Sequence, residues 1–122
     1  MRTIYSPIYL IISAFITGLA HQPLQMGWLA WIGLIPLIFV YNRITEFKHF
    51  IITGFIWGFT YHLTVIFWLA SNIGVTPMIG FISMLASVAF LTLNILTISI
   101  IVWILKIKYP QIWFWFFPLV WT

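Results

Sequence analysis

The chain has 122 residues, of which 64% are hydrophobic and 5% charged, and its mean hydropathy is +1.16. This composition excludes an ordinary soluble domain, because one acidic and five basic residues are too few to solvate a globular surface. The formal net charge of +4 does not indicate nucleic-acid binding, since the basic residues are scattered in ones and twos. Cysteine is absent, which excludes disulfides, thiolate metal ligands and a cysteine nucleophile within these residues. We therefore expect an integral membrane protein.

Uncharged apolar runs predict where the chain crosses the bilayer, since a helix needs about 20 apolar residues to span about 30 Å of hydrocarbon. Four such runs occur, and a partial fifth follows them. We expect an all-α, polytopic helical bundle that forms one transmembrane domain, with the second helix short or kinked at Pro36. The predicted spans are 4–20, 24–41, 50–70 and 79–105, with a truncated fifth at 111–122.

The basic residues predict the orientation of these spans, because cytoplasmic loops collect Lys and Arg. With alternating crossings all five fall on one side, which we call the charged end: Arg2, Arg43, Lys48, Lys106 and Lys108. The loops at 21–23 and 71–77 carry no charged residue and form the opposite, uncharged end. We expect a multi-pass membrane protein with its amino terminus in the cytoplasm.

Two sets of small or polar residues lie inside the predicted spans. Gly54 and Gly58 form a Gly-x-x-x-Gly pair on the third helix. A polar stripe on the fourth helix contains Ser83, Ser87, Asn94 and Thr97. Glycine permits close helix approach, and hydroxyl and amide groups hydrogen-bond between helices in a membrane, so we expect both sets to pack against other helices. The alternative for both is a substrate groove.

Polar and aromatic residues near the uncharged end are candidates for facing lipid or substrate: His21, Gln22, His62, Trp68 and Asn72. We expect no metal ion or cofactor there, because the single acid, Glu46, lies across the membrane from both histidines. A hydrogen-bonded structural role is the simpler interpretation of His62. We assign no catalytic residue, since a serine and histidine would lack an acid to orient them.

Three stretches occur in an informative order. The first is Leu19 to Pro23 followed by Gly27 to Leu37, with a Pro-containing turn and a Trp-x-x-x-x-x-Leu-x-Pro-Leu pattern. The second is Gly54 to Phe59, continued by Trp68 and the Gly-x-x-Pro of Gly74 to Pro77. The third is Pro118 to Trp121. Together they resemble the amino-terminal membrane region of bacterial apolipoprotein N-acyltransferases.

The resemblance implies a function in lipoprotein maturation and a location in the bacterial inner (cytoplasmic) membrane. Members of that family transfer an acyl chain from a membrane phospholipid to the amino-terminal cysteine of a lipoprotein precursor, using a nitrilase-like periplasmic domain with a glutamate-lysine-cysteine set. That domain is absent from these residues, so we expect a fragment or short paralogue that is inactive alone. The expected partners are phospholipid and, through the missing domain, lipoprotein precursor, with no nucleic acid and no metal. The alternative is a small non-enzymatic membrane scaffold or transporter subunit.

Overall fold

The computed structural model describes residues 7–21 and 25–121, and these form helices joined by short loops, with no strand. The all-α fold class predicted from the sequence is confirmed. In chain order the elements are α1 (Pro7–Leu19), α2 (Gly27–Arg43), α3 (Phe47–Ile66), a 3₁₀ helix (Phe67–Ser71), α4 (Pro77–Lys108) and α5 (Trp113–Trp121).

The helix ends follow local chemistry. Pro77 occupies the first turn of α4, where its missing N–H costs no hydrogen bond. Lys106 and Lys108 lie in the last turn of α4, where cations interact favourably with the exposed carbonyl groups. Pro36 lies inside α2, which nonetheless remains one continuous helix. The helix predicted to be short or kinked is thus short, with 17 residues, and is not broken at Pro36.

Within residues 7–21 and 25–121, two helical segments are long and apolar enough to cross a membrane. They are α3 with the 3₁₀ helix, 25 residues over Phe47–Ser71, and α4, with 32 residues. The 13 residues of α1 and the 17 of α2 fall short of the roughly 20 that a perpendicular crossing takes. Four crossings therefore remain a prediction. Residues 4–6 of the first predicted span, and Arg2 at the predicted charged end, lie outside the described residues.

The helices pack as neighbours in a simple arrangement. α1 lies against α2 and α3, α3 lies against α4, and α4 contacts the 3₁₀ helix and α5. A side chain at Gly58 would meet Ile95, and one at Gly80 would meet the carbonyl oxygen of Ala70. Residues later in the sequence of α3 and the 3₁₀ helix thus face residues earlier in the sequence of α4, so α3 and α4 run antiparallel. Lys106 is consequently remote from the 3₁₀ helix, at the opposite end of the pair.

The buried face of α4 differs from the predicted one. It consists of Gly80, Met84, Val88, Thr92, Ile95, Ser99 and Val102. Ser83, Asn94 and Thr97 are exposed and Ser87 is half-buried; we call these four residues the exposed stripe. Ile95 and Ser99 fill the space above Gly58 and Gly54, so side-chain shape selects that face of the helix. Thr97 donates its hydroxyl hydrogen to Leu93 O at 3.0 Å on its own helix and needs no neighbour.

Candidate functional site

A set of buried hydrogen bonds joins the first three helices. Ser13 Oγ on α1 donates to the carbonyl oxygen of Gly33 on α2, and Trp57 Nε1 on α3 donates to Ser13 Oγ at 3.0 Å. Thr17 Oγ1 donates to Ser13 O at 2.8 Å and occupies the space beside Gly33 that a Cβ atom would need. We call Ser13, Thr17, Gly33 and Trp57 the polar seam. It fixes the mutual position of α1, α2 and α3 by hydrogen bonds as well as by packing.

A second buried pair joins α2 to α4. Ser99 Oγ donates to Ile95 O at 2.8 Å, so the Tyr41 hydroxyl, 2.6 Å from Ser99 Oγ, is the donor in their contact. The Tyr41 ring stacks on Phe50, with ring centroids 3.9 Å apart. Gly54 lies against both hydroxyl groups, where any larger residue would collide with Ser99 and Tyr41. Both predicted packing glycines therefore lie in the α3–α4 contact.

Lys106 closes the charged end of the bundle. Its Nζ atom donates to Tyr41 O at 2.6 Å, in the last turn of α2, and to the carbonyl oxygen of Ile44, the residue that follows the helix. Carbonyl groups at a helix end have no partner within the helix, and a cation there satisfies them and interacts favourably with the helix dipole. Lys106 was predicted only as a topology signal, but in the structure it also caps α2.

Both candidate histidines contact Tyr61, near the opposite end of α3. The Tyr61 hydroxyl lies 2.8 Å from His21 Nε2, and the two rings meet edge to face. His62 lies beside the same tyrosine ring, with centroids 5.0 Å apart. Trp57 of the polar seam stacks on Tyr61 from one turn earlier, with centroids 5.1 Å apart. We call His21, Tyr61 and His62 the histidine–tyrosine cluster; it extends the polar seam toward the uncharged end.

The hydrogen bond of His62 determines which of its ring nitrogens is available. Nδ1 lies 2.8 Å from Gly58 O, and a carbonyl oxygen can only accept, so Nδ1 carries the proton. Nε2 of the neutral ring is then a hydrogen-bond acceptor. In the described part of the chain neither histidine is hydrogen-bonded to a serine or threonine hydroxyl. The cluster can therefore donate to or accept from a polar ligand, and among the described residues neither imidazole is paired with a serine or threonine nucleophile.

The remaining candidate residues lie on the next elements of the uncharged end. Trp68 projects from the 3₁₀ helix and is 55% exposed. Asn72 Oδ1 accepts a hydrogen bond from the backbone N–H of Gly74 at 3.2 Å, which stabilises the turn before α4. Gln22 lies outside the described residues. Apolar side chains of the same loop and of the first turn of α4 are also exposed, among them Ile73 and Met78.

The single acidic side chain of the sequence lies at the charged end. Glu46 Oε2 lies 3.2 Å from His49 Nδ1 at the start of α3, far along the helix from His62. Within residues 7–21 and 25–121 no three His, Cys, Asp or Glu side chains lie close enough to hold a metal ion.

The comparison with known families identifies the chain. Residues 13–122 match the family described as the apolipoprotein N-acyltransferase N-terminal domain. The chain belongs to this family. The family membership inferred from the order of the Gly, Trp and Pro motifs is thereby confirmed. The match includes Ser13 and every later residue of the polar seam, together with the histidine–tyrosine cluster. No curated protein and no solved structure matches the chain.

Sequence reasoning missed three features of this N-terminal domain. Ser13 and Thr17 are four residues apart on α1 and so share one helix face, a signal similar to that of Gly54 and Gly58. Tyr61 was not among the candidate residues, although it contacts both candidate histidines. The capping role of Lys106 depends on where α2 ends in space, which no local pattern in α4 encodes.

Proposed function

We propose that this chain is the amino-terminal membrane portion of an apolipoprotein N-acyltransferase-like protein. In this proposal it holds phospholipid and a lipoprotein precursor in the bacterial inner membrane while an acyl chain passes from the first to the second. The family match over residues 13–122 carries the proposal, because it covers nearly the whole sequence. The charged end would lie in the cytoplasm and the uncharged end on the periplasmic side, as the bias of basic residues toward cytoplasmic loops favours.

Hydrogen-bonding and apolar groups at the uncharged end support a lipid-handling role there. The histidine–tyrosine cluster offers ring nitrogens and a phenol to ester or headgroup oxygens. Exposed Trp68 would lie at the membrane interface, where tryptophan is favoured, and exposed Ile73 and Met78 would contact acyl chains. These groups bind and orient; they do not by themselves transfer an acyl group.

The covalent step would need a group from outside these 122 residues. Acyl transfer through a thioester requires a thiolate near a base, and the sequence contains no cysteine. His62 is oriented by a backbone carbonyl group, but no serine or threonine hydroxyl of residues 7–21 and 25–121 is hydrogen-bonded to its imidazole. In the proposed assembly a periplasmic catalytic domain supplies the nucleophile above the uncharged end.

Site-specific cross-linking tests whether the uncharged end holds a lipoprotein precursor. Because the sequence contains no native cysteine, a probe attached to an introduced cysteine labels that position alone. The purified chain, with a photoreactive probe on Asn72→Cys, is reconstituted in phospholipid vesicles with a diacylated lipoprotein peptide. We expect cross-links to the peptide from position 72 and none from the matched variant Lys48→Cys at the charged end. An unacylated peptide of the same sequence should compete poorly. Equal cross-linking from both positions, or from an unrelated membrane peptide, would favour a general scaffold.

The same vesicles test the covalent assignment. We expect the mass of the diacylated peptide to stay unchanged, because the chain contains no thiolate. A triacylated product, formed at a rate that His62→Ala abolishes, would show that the chain is an enzyme by itself.

A further inference from the structure

A groove lies between α2 and α5 at the charged end, opposite the histidine–tyrosine cluster. Its volume is about 460 Å³. Apolar side chains form its walls, among them Ile35, Phe39 and Phe114. Asn42 and Gln111 bring two amide groups to the same groove. It is therefore an amphipathic cleft that begins at the last turn of α2 and continues along apolar helix surface.

Arg43 does not line the groove, but it directly follows Asn42, which does. The guanidinium carbon of Arg43 lies 4.1 Å from the centroid of the Phe39 ring, so the cation stacks on a residue that lines the groove. Lys106, the other cation near the end of α2, donates to two backbone carbonyl groups. Arg43 is exposed, and a planar guanidinium can donate two parallel hydrogen bonds to a phosphate.

The surrounding charges favour a net anionic ligand over a zwitterionic one. Glu46 is the single acid in the sequence, and it lies 3.2 Å from His49 without lining the groove. No carboxylate is therefore present in the groove to pair with a choline or ethanolamine ammonium group.

We propose that this groove binds an anionic phospholipid of the leaflet at the charged end. The phosphate accepts hydrogen bonds from Arg43 and from the amides of Asn42 and Gln111, and one acyl chain lies along Ile35 and Phe114. This site is separate from the acyl-transfer role proposed above, because it lies at the other end of the bundle and involves no reacting group. It requires only that the chain is embedded with its charged end at a headgroup layer.

Native mass spectrometry in neutral detergent tests the proposal, since no charged membrane surface is then present. The full chain is titrated with phosphatidylglycerol and with phosphatidylcholine of the same acyl chains. We expect tighter binding of phosphatidylglycerol and about a tenfold loss of its affinity in Arg43→Gln, the effect of losing a charge-assisted hydrogen bond. Lys48→Gln removes the same charge from the same end, at a residue that neither lines the groove nor stacks on a lining residue as Arg43 does, and should change the affinity less than about twofold.

Further measurements separate lipid binding from binding of a free anion, misfolding of the variant and self-association of the chain. Inorganic phosphate at millimolar concentration should not displace the lipid, and displacement would identify a free anion as the ligand. If Arg43→Gln misfolds by circular dichroism, Ile35→Trp fills the apolar part of the groove and should also weaken lipid binding. Equal affinity for the two lipids, equal effects of Arg43→Gln and Lys48→Gln, or occupation of the groove by a second copy would each overturn the proposal.

Discussion

The polar seam and the exposed stripe contain the same kinds of residue and have opposite surroundings. Ser13 and Thr17 are each 1% exposed and hydrogen-bonded across or along helices, whereas Ser83 and Asn94 face outward from α4. The seam lies where three helices meet, and Gly33 on α2 leaves the space that the Thr17 hydroxyl group occupies. A polar residue in an apolar helix thus marks a contact only where the neighbouring helix offers a complementary surface.

The largest expected effect comes from filling a glycine contact. A Cβ atom at Gly58 would lie 2.8 Å from Ile95 Cβ, so Gly58→Leu must push α3 and α4 apart. We expect a loss of about 1 to 3 kcal/mol in the free energy of unfolding, measured by SDS titration followed by circular dichroism. Gly27→Leu is the matched control, because nothing lies within 4 Å of a Cβ atom there. Equal stability of the two variants would show that the α3–α4 contact is misplaced.

A smaller effect is expected within the polar seam. Ser13→Ala removes the hydrogen bond to Gly33 O and the one accepted from Trp57 Nε1. Hydrogen bonds between membrane helices contribute about 0.6 kcal/mol on average and about 1.7 kcal/mol at most, so we expect a loss in that range in the same titration. Ser83→Ala, on the exposed stripe, should be neutral. Equal changes in the free energy of unfolding for Ser13→Ala and Ser83→Ala would show that the hydrogen bonds of the polar seam do not stabilise the fold.

The smallest effect is expected on the exposed stripe. Asn94→Leu places an apolar side chain on an outward face, and the free energy of unfolding should change by less than about 0.5 kcal/mol. Thr92→Leu introduces the same side chain on the buried face of α4 and should destabilise by about 1 kcal/mol or more. A loss in Asn94→Leu that depends on protein concentration would instead place Asn94 in a contact between copies.

Much of the fold could be predicted because the length of an apolar run, and the prolines and charges that end it, are local properties of the sequence. The boundaries at Pro77 and after Lys108 follow from proline and charge, and the family follows from the order of motifs. Which face of α4 is buried could not be predicted from polarity. That choice depends on the shape of α3, where Gly54 and Gly58 accept Ser99 and Ile95.

The candidate site was predicted only in part, for the same reason. His21 and His62 were recognised as unusual polar residues of an apolar chain, but their common contact with Tyr61 was not. Tyr61 is 40 residues from His21 in sequence and next to His62. Such a contact depends on how α1 packs on α3. The tautomer of His62 likewise follows from the distance between its Nδ1 atom and Gly58 O, which residue type alone does not supply.

Labelling of single cysteines in intact bacterial cells tests the central claim most directly, namely that the uncharged end lies outside the cytoplasm. Thr76→Cys, just before α4, and Lys48→Cys, at the start of α3, are both exposed positions in a chain without native cysteine. We predict that a membrane-impermeant maleimide modifies Thr76→Cys in intact cells and Lys48→Cys only after the inner membrane is permeabilised. Modification of Lys48→Cys with protection of Thr76→Cys would contradict the orientation and the site built on it.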